Sequence, residues 1–159
     1  MEITVTAGGH ISAEALRQHR AWLASDGAQG VRLSLRGADL RGADLRWTDF
    51  RGANLSHADL REAYLEGANL QGADLRWANL RSVGLARAYL QRADLRGADL
   101  RGATLRKADL RGAHLEGASL QGADLRGAEL EGSDYHNAET PSHLGVCMQW
   151  PACTDEAGR

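Results

Sequence analysis

Cysteine occurs only twice in this 159-residue chain, at Cys147 and Cys153. Two cysteines are too few for a disulfide framework, and no metal-ligand cluster accompanies them. They read as free thiols in a reducing compartment. Proline is equally scarce, and Pro141 and Pro151 both fall after residue 140, where they argue against a long helix. No apolar run reaches the roughly 18 residues of a membrane span. The N-terminus lacks a basic segment followed by an apolar one, so no secretory signal is expected and the chain is assigned to the cytoplasm. Charge of one sign is missing too: the formal net charge is −2, which excludes a generic basic nucleic-acid binder. No G-x-x-x-x-G-K phosphate loop occurs. The six histidines (His10, His19, His57, His114, His136 and His143) form no catalytic or metal constellation. No catalytic residue, cofactor or metal is expected, and the chain does not read as an enzyme.

What is present is a leucine every fifth residue, from Leu35 to Leu130, with Phe50 as the one substitution and Tyr135 continuing the series. Two residues before each stands a small residue, alanine in seventeen of twenty repeats; Leu33, Thr48 and Val83 are the exceptions. A period of five fits neither an amphipathic helix nor an alternating strand. A fixed short period implies a coiled, stacked architecture. The consensus is A-D-L-R-G, as in Ala38-Asp39-Leu40-Arg41-Gly42, and glycine fills the last position in twelve of twenty repeats.

Over about two-thirds of its length the chain resembles the pentapeptide-repeat family. The resemblance implies an all-β solenoid, a right-handed quadrilateral β-helix with four pentapeptides per coil and the leucine and small residue inward. Coils stacked at about 4.8 Å make five of them a rod roughly 25 Å long. Positions twenty apart then share a face. Leu35, Leu40, Leu45 and Phe50 head the first, second, third and fourth faces in turn.

Three regions follow. Residues 1–30 form an N-terminal strand and capping helix: Met1 to Thr6 alternates, Gly8-Gly9 turns, Ser12 is a helix N-cap, and Asp26-Gly27 ends the helix near Ala24. Leu16, His19 and Leu23, with Trp22 alongside, are expected to cover the first coil. Residues 31–135 form the coil, with a local bulge or bend expected at Val83-Gly84-Leu85-Ala86-Arg87. Residues 136–159 hold a cap or dimerisation segment, in which Leu144, Val146, Met148 and Trp150 alternate. That segment either folds back as a lid or joins a second copy end to end, giving a rod of about 50 Å.

The candidate partner-binding surface lies on the outward columns. The second face carries Arg41, Arg61, Arg81 and Arg101 beside Asp39, Asp59, Asn79 and Asp99. The third is mildly basic and bears Trp47 and Tyr64, and Trp77 stands at a corner of the first. An outward tryptophan can anchor a partner or stack on the next corner, and both readings stand here.

Some members of the family imitate duplex DNA and act on DNA gyrase or topoisomerase IV; a phage version could block a nuclease or a CRISPR complex. The loop-free coil resembles the mycobacterial kind more than the plasmid quinolone-resistance kind. Duplex DNA carries a negative charge per about 1.7 Å. Residues 31–135 hold sixteen Lys and Arg against fifteen Asp and Glu, so the charge does not match. The expected function is a non-catalytic protein-interaction module with an unidentified protein partner, and no membrane or direct nucleic-acid binding. The alternative is a DNA mimic acting on a DNA-handling enzyme.

Overall fold

The computed structural model describes residues 5–6 and 10–139. Strand β1 (Val5–Thr6) pairs antiparallel with β2 (His10–Ile11), so the strand expected at the N-terminus is one arm of a small hairpin. Helix α1 (Ala13–Ala24) follows. The Ser12 side chain accepts a hydrogen bond from the Ala15 amide at 3.2 Å, satisfying one of the donors that a helix start leaves over. Past Ser25 the chain turns through Asp26 at φ 49° and Gly27 at φ 88°, where the Gly27 amide bonds to the Trp22 carbonyl at 2.8 Å. It then crosses back over α1 at Gly30. A β-carbon there would lie 2.2 Å from the Gln18 carbonyl oxygen, so only glycine fits.

The inner face of α1 buries Ala15 and His19, with Leu16 and Ile11 packed against the same core. His19 joins helix to coil. Its Nδ1 accepts the backbone N–H of Leu33, the first inward residue, at 3.1 Å. An accepting Nδ1 carries no proton, so the ring is held neutral. Burial pushes its pKa below the ordinary histidine value; the Asp49 charge opposes this and the Arg32 charge reinforces it. Its ring stacks on Trp22, with centroids 5.7 Å apart.

From Leu33 onward each pentapeptide is one turn, closed by a bond from the small residue back to the preceding leucine, as from Ala38 N to Leu35 O at 3.0 Å. The residue before each leucine bridges in parallel to the residue twenty positions on, from Ser34 with Asn54 to Ser119 with Glu139. Four turns therefore complete a circuit, and about five circuits stack. The bridges pass through single residues and no extended strand develops in the coil, because the chain must turn again after five residues. The leucines and alanines line the interior, and Phe50, Leu60 and Leu80 are fully buried. The corner residue, two after each leucine, takes a left-handed backbone whether it is glycine or not: φ is 66° at Gly97 and 59° at Trp77.

No bulge interrupts Val83–Arg87. Gly84 bridges Tyr64 on one side and Thr104 on the other, and Val83 and Leu85 keep their inward places. Apart from Val83, which replaces alanine on the inside, the departures there point outward, and Gly84 leaves room for the Glu66 carboxylate, which a β-carbon would meet at 2.2 Å. The segment with Leu144, Val146, Met148 and Trp150, like Cys147 and Cys153, lies outside the described residues.

Two outcomes test this architecture. Leu80→Ala should cost roughly 2–5 kcal/mol of stability, and Leu80→Asp should leave no folded protein, since it would bury an unpaired carboxylate; an unchanged melting temperature for Leu80→Asp contradicts the register. A histidine whose folded pKa is lowered withholds stability as pH falls below its unfolded value, because the unfolded chain then binds more protons. The melting temperature should therefore drop between about pH 7 and 5. It should drop less in His19→Asn, which keeps an acceptor for Leu33 without titrating. Identical pH profiles would show that His19 does not hold the cap.

Candidate functional site

The consensus residues outside the core answer to the backbone before they answer to any partner. In the turn Ala58–Glu62, the Ala58 amide closes the turn on Leu55, and Asp59, Leu60 and Glu62 donate to neighbouring circuits. The amide of Arg61 is left over, and the Asp59 carboxylate takes it, at 3.3 Å, while also gripping the Arg61 guanidinium through Nε at 2.8 Å and Nη2 at 2.6 Å. One carboxylate thus satisfies a backbone donor and neutralises a cation, the two-pronged geometry that arginine favours. The same unit recurs at Asp39–Arg41, Asp44–Arg46, Asp49–Arg51, Asp74–Arg76, Asp94–Arg96, Asp99–Arg101, Asp109–Arg111 and Asp124–Arg126. Hydrogen bonds from the arginine side chain hold Asp39, Asp44 and Asp124 down to pKa values of about 2.

The second-face candidates are therefore placed as three closed pairs, Arg41 on Asp39, Arg61 on Asp59 and Arg101 on Asp99, with one longer link from Arg41 Nε to Asp59 at 3.8 Å in the next circuit. Arg81 stands apart: Asn79 takes the place of the aspartate and accepts only the Arg81 amide, at 3.4 Å. The face is self-compensated, and the compensation runs mainly across each leucine rather than between columns.

Trp47 and Trp77 stack on the next corner, the second of the two readings. Each stands at a left-handed corner with φ 59° and lays its indole over the glycine corner of the next circuit. A β-carbon at Gly67 would lie 2.1 Å from Trp47 Cζ3, and one at Gly97 would lie 2.4 Å from Trp77 Cε3. The outer surfaces of the rings stay open, with Trp47 73% and Trp77 63% exposed. The Arg46 guanidinium lies 6.0 Å from the ring centre of Tyr64, at the outer limit of a cation–π contact. Tyr64 and Tyr89, exposed in the middle of the third and fourth faces, complete the aromatic set.

The corner sequence carries a signal that face-by-face charge counting passes over. Trp77, Ser82, Arg87 and Arg92 are four successive corners, one full circuit, without a glycine. Among the described residues no group of three or more His, Cys, Asp or Glu side chains could hold a metal ion, and no helix is long and apolar enough to cross a membrane.

The tryptophan–glycine fit is testable. Gly97→Ala should lower stability by roughly 1–3 kcal/mol through steric clash and left-handed strain. Adding Trp77→Ala should recover part of that loss, as thermal melting of the single and double variants will show. Strictly additive losses would contradict the contact.

The chain matches the family described as pentapeptide repeats, in eight copies over residues 31–67, 58–97 and 98–134. No curated protein matches it. Among solved structures it is similar to the pentapeptide repeat protein Rfr23 of the cyanobacterium Cyanothece 51142, with 30% identity and a TM-score of 0.55 over 67% of this chain and 90% of that one. A pentapeptide repeat protein of the Arabidopsis thaliana thylakoid lumen gives 38% identity and a TM-score of 0.50, over 62% of this chain and 65% of that one. QnrB1, a plasmid-mediated fluoroquinolone resistance protein, gives 24% identity and a TM-score of 0.31, over 71% of this chain and 65% of that one, a likeness too slight to carry a functional argument. With its period-twenty bridges, its inward leucines and a family match over most of its length, the chain belongs to the pentapeptide-repeat family.

Proposed function

We propose that this chain is a non-catalytic protein-interaction module built on a right-handed quadrilateral β-helix. The likeness to Rfr23 supports the form of the helix, and the parallel bridges at period twenty agree with it. The observation that carries the function is the state of the surface. Nine aspartates are each locked to the arginine two residues on, so most of the rod's charge is spent internally. Against this neutral ground stand four aromatic side chains, Trp47, Tyr64, Trp77 and Tyr89, exposed on a rigid frame. Fixed aromatic rings lose little entropy on binding and supply the large buried areas on which interfaces depend.

The same ion pairs weigh against a DNA mimic. Such a mimic needs a dense run of uncompensated negative charge, whereas here a guanidinium sits within 2.8 Å of each of the nine paired carboxylates.

A photo-crosslinking amino acid placed in turn at positions 47, 59, 77 and 89 samples the four sides of the rod in the native host. The proposal expects a discrete protein adduct from at least one position. Recovery of nucleic acid alone, or no adduct from any position, would overturn it. In parallel, the chain at micromolar concentration and low salt should leave gyrase supercoiling unchanged; salt-sensitive inhibition would support mimicry instead.

A further inference from the structure

Among the cations that no aspartate neutralises, three gather around one exposed aromatic ring at the centre of the coil. Arg87, Arg92 and Lys107 stand at corners, one position beyond the arginine of the consensus, in turns whose aspartate position holds Gly84, Tyr89 and Thr104 instead. Among the described residues none of the three is in an ion pair or a side-chain hydrogen bond. Arg87 and Lys107 succeed each other on the edge between the third and fourth faces, and Arg92 stands on the far edge of the fourth. Between them Tyr89 is 48% exposed. Asp109, bridged to Tyr89 in the next circuit, is already committed to Arg111 and to the Gln91 amide, and the Glu66 carboxylate lies against Gly84.

The backbone at these cations is held at a cost. Arg87, Arg92 and Lys107 have φ of 59°, 57° and 56°, a conformation that glycine adopts freely and other residues resist. Twelve corners of the coil use glycine. Arg87 and Arg92 instead keep long charged side chains whose guanidinium groups bond to nothing in the chain. The stems of Arg92 and Lys107 lie over Gly112 and Gly127 of the next circuit, but the charged ends, like that of Arg87, find no partner inside the fold, which points to a role outside it. Beside Arg92 the surface also sinks into an open hollow of about 540 Å³, lined by Gln71, Gly72, Gln91, Arg92 and Arg111. Gly72 makes room for it, since nothing lies within 4 Å of a β-carbon built there.

We propose that the fourth face, at the level of Arg87 to Arg92, is the docking site for an acidic polypeptide segment. The segment crosses the rod there, with carboxylates on Arg87, Lys107 and Arg92 and an apolar side chain over Tyr89. This rests on the reading of the chain as a protein-interaction module and names its surface and the chemistry of its partner. The charges around the patch select a peptide over a nucleic acid. Glu129 and Glu131 lie on the same face beyond Arg111, so a phosphate backbone running along the rod would meet like charge within about one circuit. A short segment crossing the rod at that level passes Asp109, which Arg111 and Gln91 already hold, and meets the three unpaired cations.

Fluorescence anisotropy with a labelled decaglutamate peptide at low salt tests the proposal. Arg87→Gly with Arg92→Gly should raise the melting temperature, by relieving left-handed strain, and weaken peptide binding by at least about tenfold. A gain in stability removes misfolding as the cause of the loss. Arg20→Gln with Arg36→Gln removes the same charge from unpaired arginines elsewhere and should change binding less than about twofold. Equal weakening by both pairs, a lowered melting temperature in the glycine pair, no binding of decaglutamate, or tighter binding of a ten-residue thymidine oligonucleotide would each overturn the proposal. In the crosslinking scan, an adduct at position 89 supports it. Adducts at other positions but none at 89 would overturn this assignment while leaving the interaction module standing; no adduct anywhere would remove both.

Discussion

One hydrogen bond sets the form of this protein. The amide of each inward leucine donates to the carbonyl nineteen residues ahead, from Leu35 to Asn54 through Leu120 to Glu139. That spacing fixes a circuit at four pentapeptides, brings leucine over leucine, and turns a period in the sequence into columns on a surface. No pentapeptide could hold this form alone. Burying one leucine and one alanine returns about 2–4 kcal/mol, and four backbone hydrogen bonds about 2–6, against about 5–10 for ordering five residues. The sum lies near zero, so stability belongs to the stack and to whatever covers its ends. At the N-terminal end the cover is α1, fastened by the neutral ring of His19.

The same ladder explains why the outward positions are not free to serve a partner. It uses four of the five amides in a turn, and the aspartate takes the fifth while holding the arginine in place. Alanine, aspartate, leucine, arginine and glycine are each accounted for by the needs of one turn. On the proposed function, interaction comes from positions where the consensus is broken. Asn79 in place of aspartate leaves Arg81 unpaired. Arginine or lysine in place of corner glycine produces Arg87, Arg92 and Lys107. Tyrosine before the leucine produces the exposed rings of Tyr64 and Tyr89.

Much of this was legible in the sequence. The leucine and alanine columns, the Ser12 cap and the stop at Asp26-Gly27 are local or strictly periodic signals, and the structure places them as expected. The expected bulge at Val83–Arg87 was a misreading of composition. A repeat is broken only when its inward residues change, and Val83 and Leu85 still point inward. The sequence sets each arginine beside an aspartate, but it does not display the orphaned amide that draws the carboxylate onto its own turn. The seating of Trp47 on Gly67 and Trp77 on Gly97 spans twenty residues. It becomes visible only once the circuit length is applied to single residues rather than to whole faces.

The circuit length is therefore the claim on which everything else depends, and NMR can read it directly. Scalar coupling across hydrogen bonds links an amide nitrogen to the carbonyl carbon that accepts its proton. The account predicts a coupling from the Leu80 amide to the Asp99 carbonyl, whose oxygen lies 2.7 Å away, with the same nineteen-residue offset for leucines throughout the coil. Couplings from the leucine amides at any other offset would mean a different circuit, and with it different faces, different corners and a different surface.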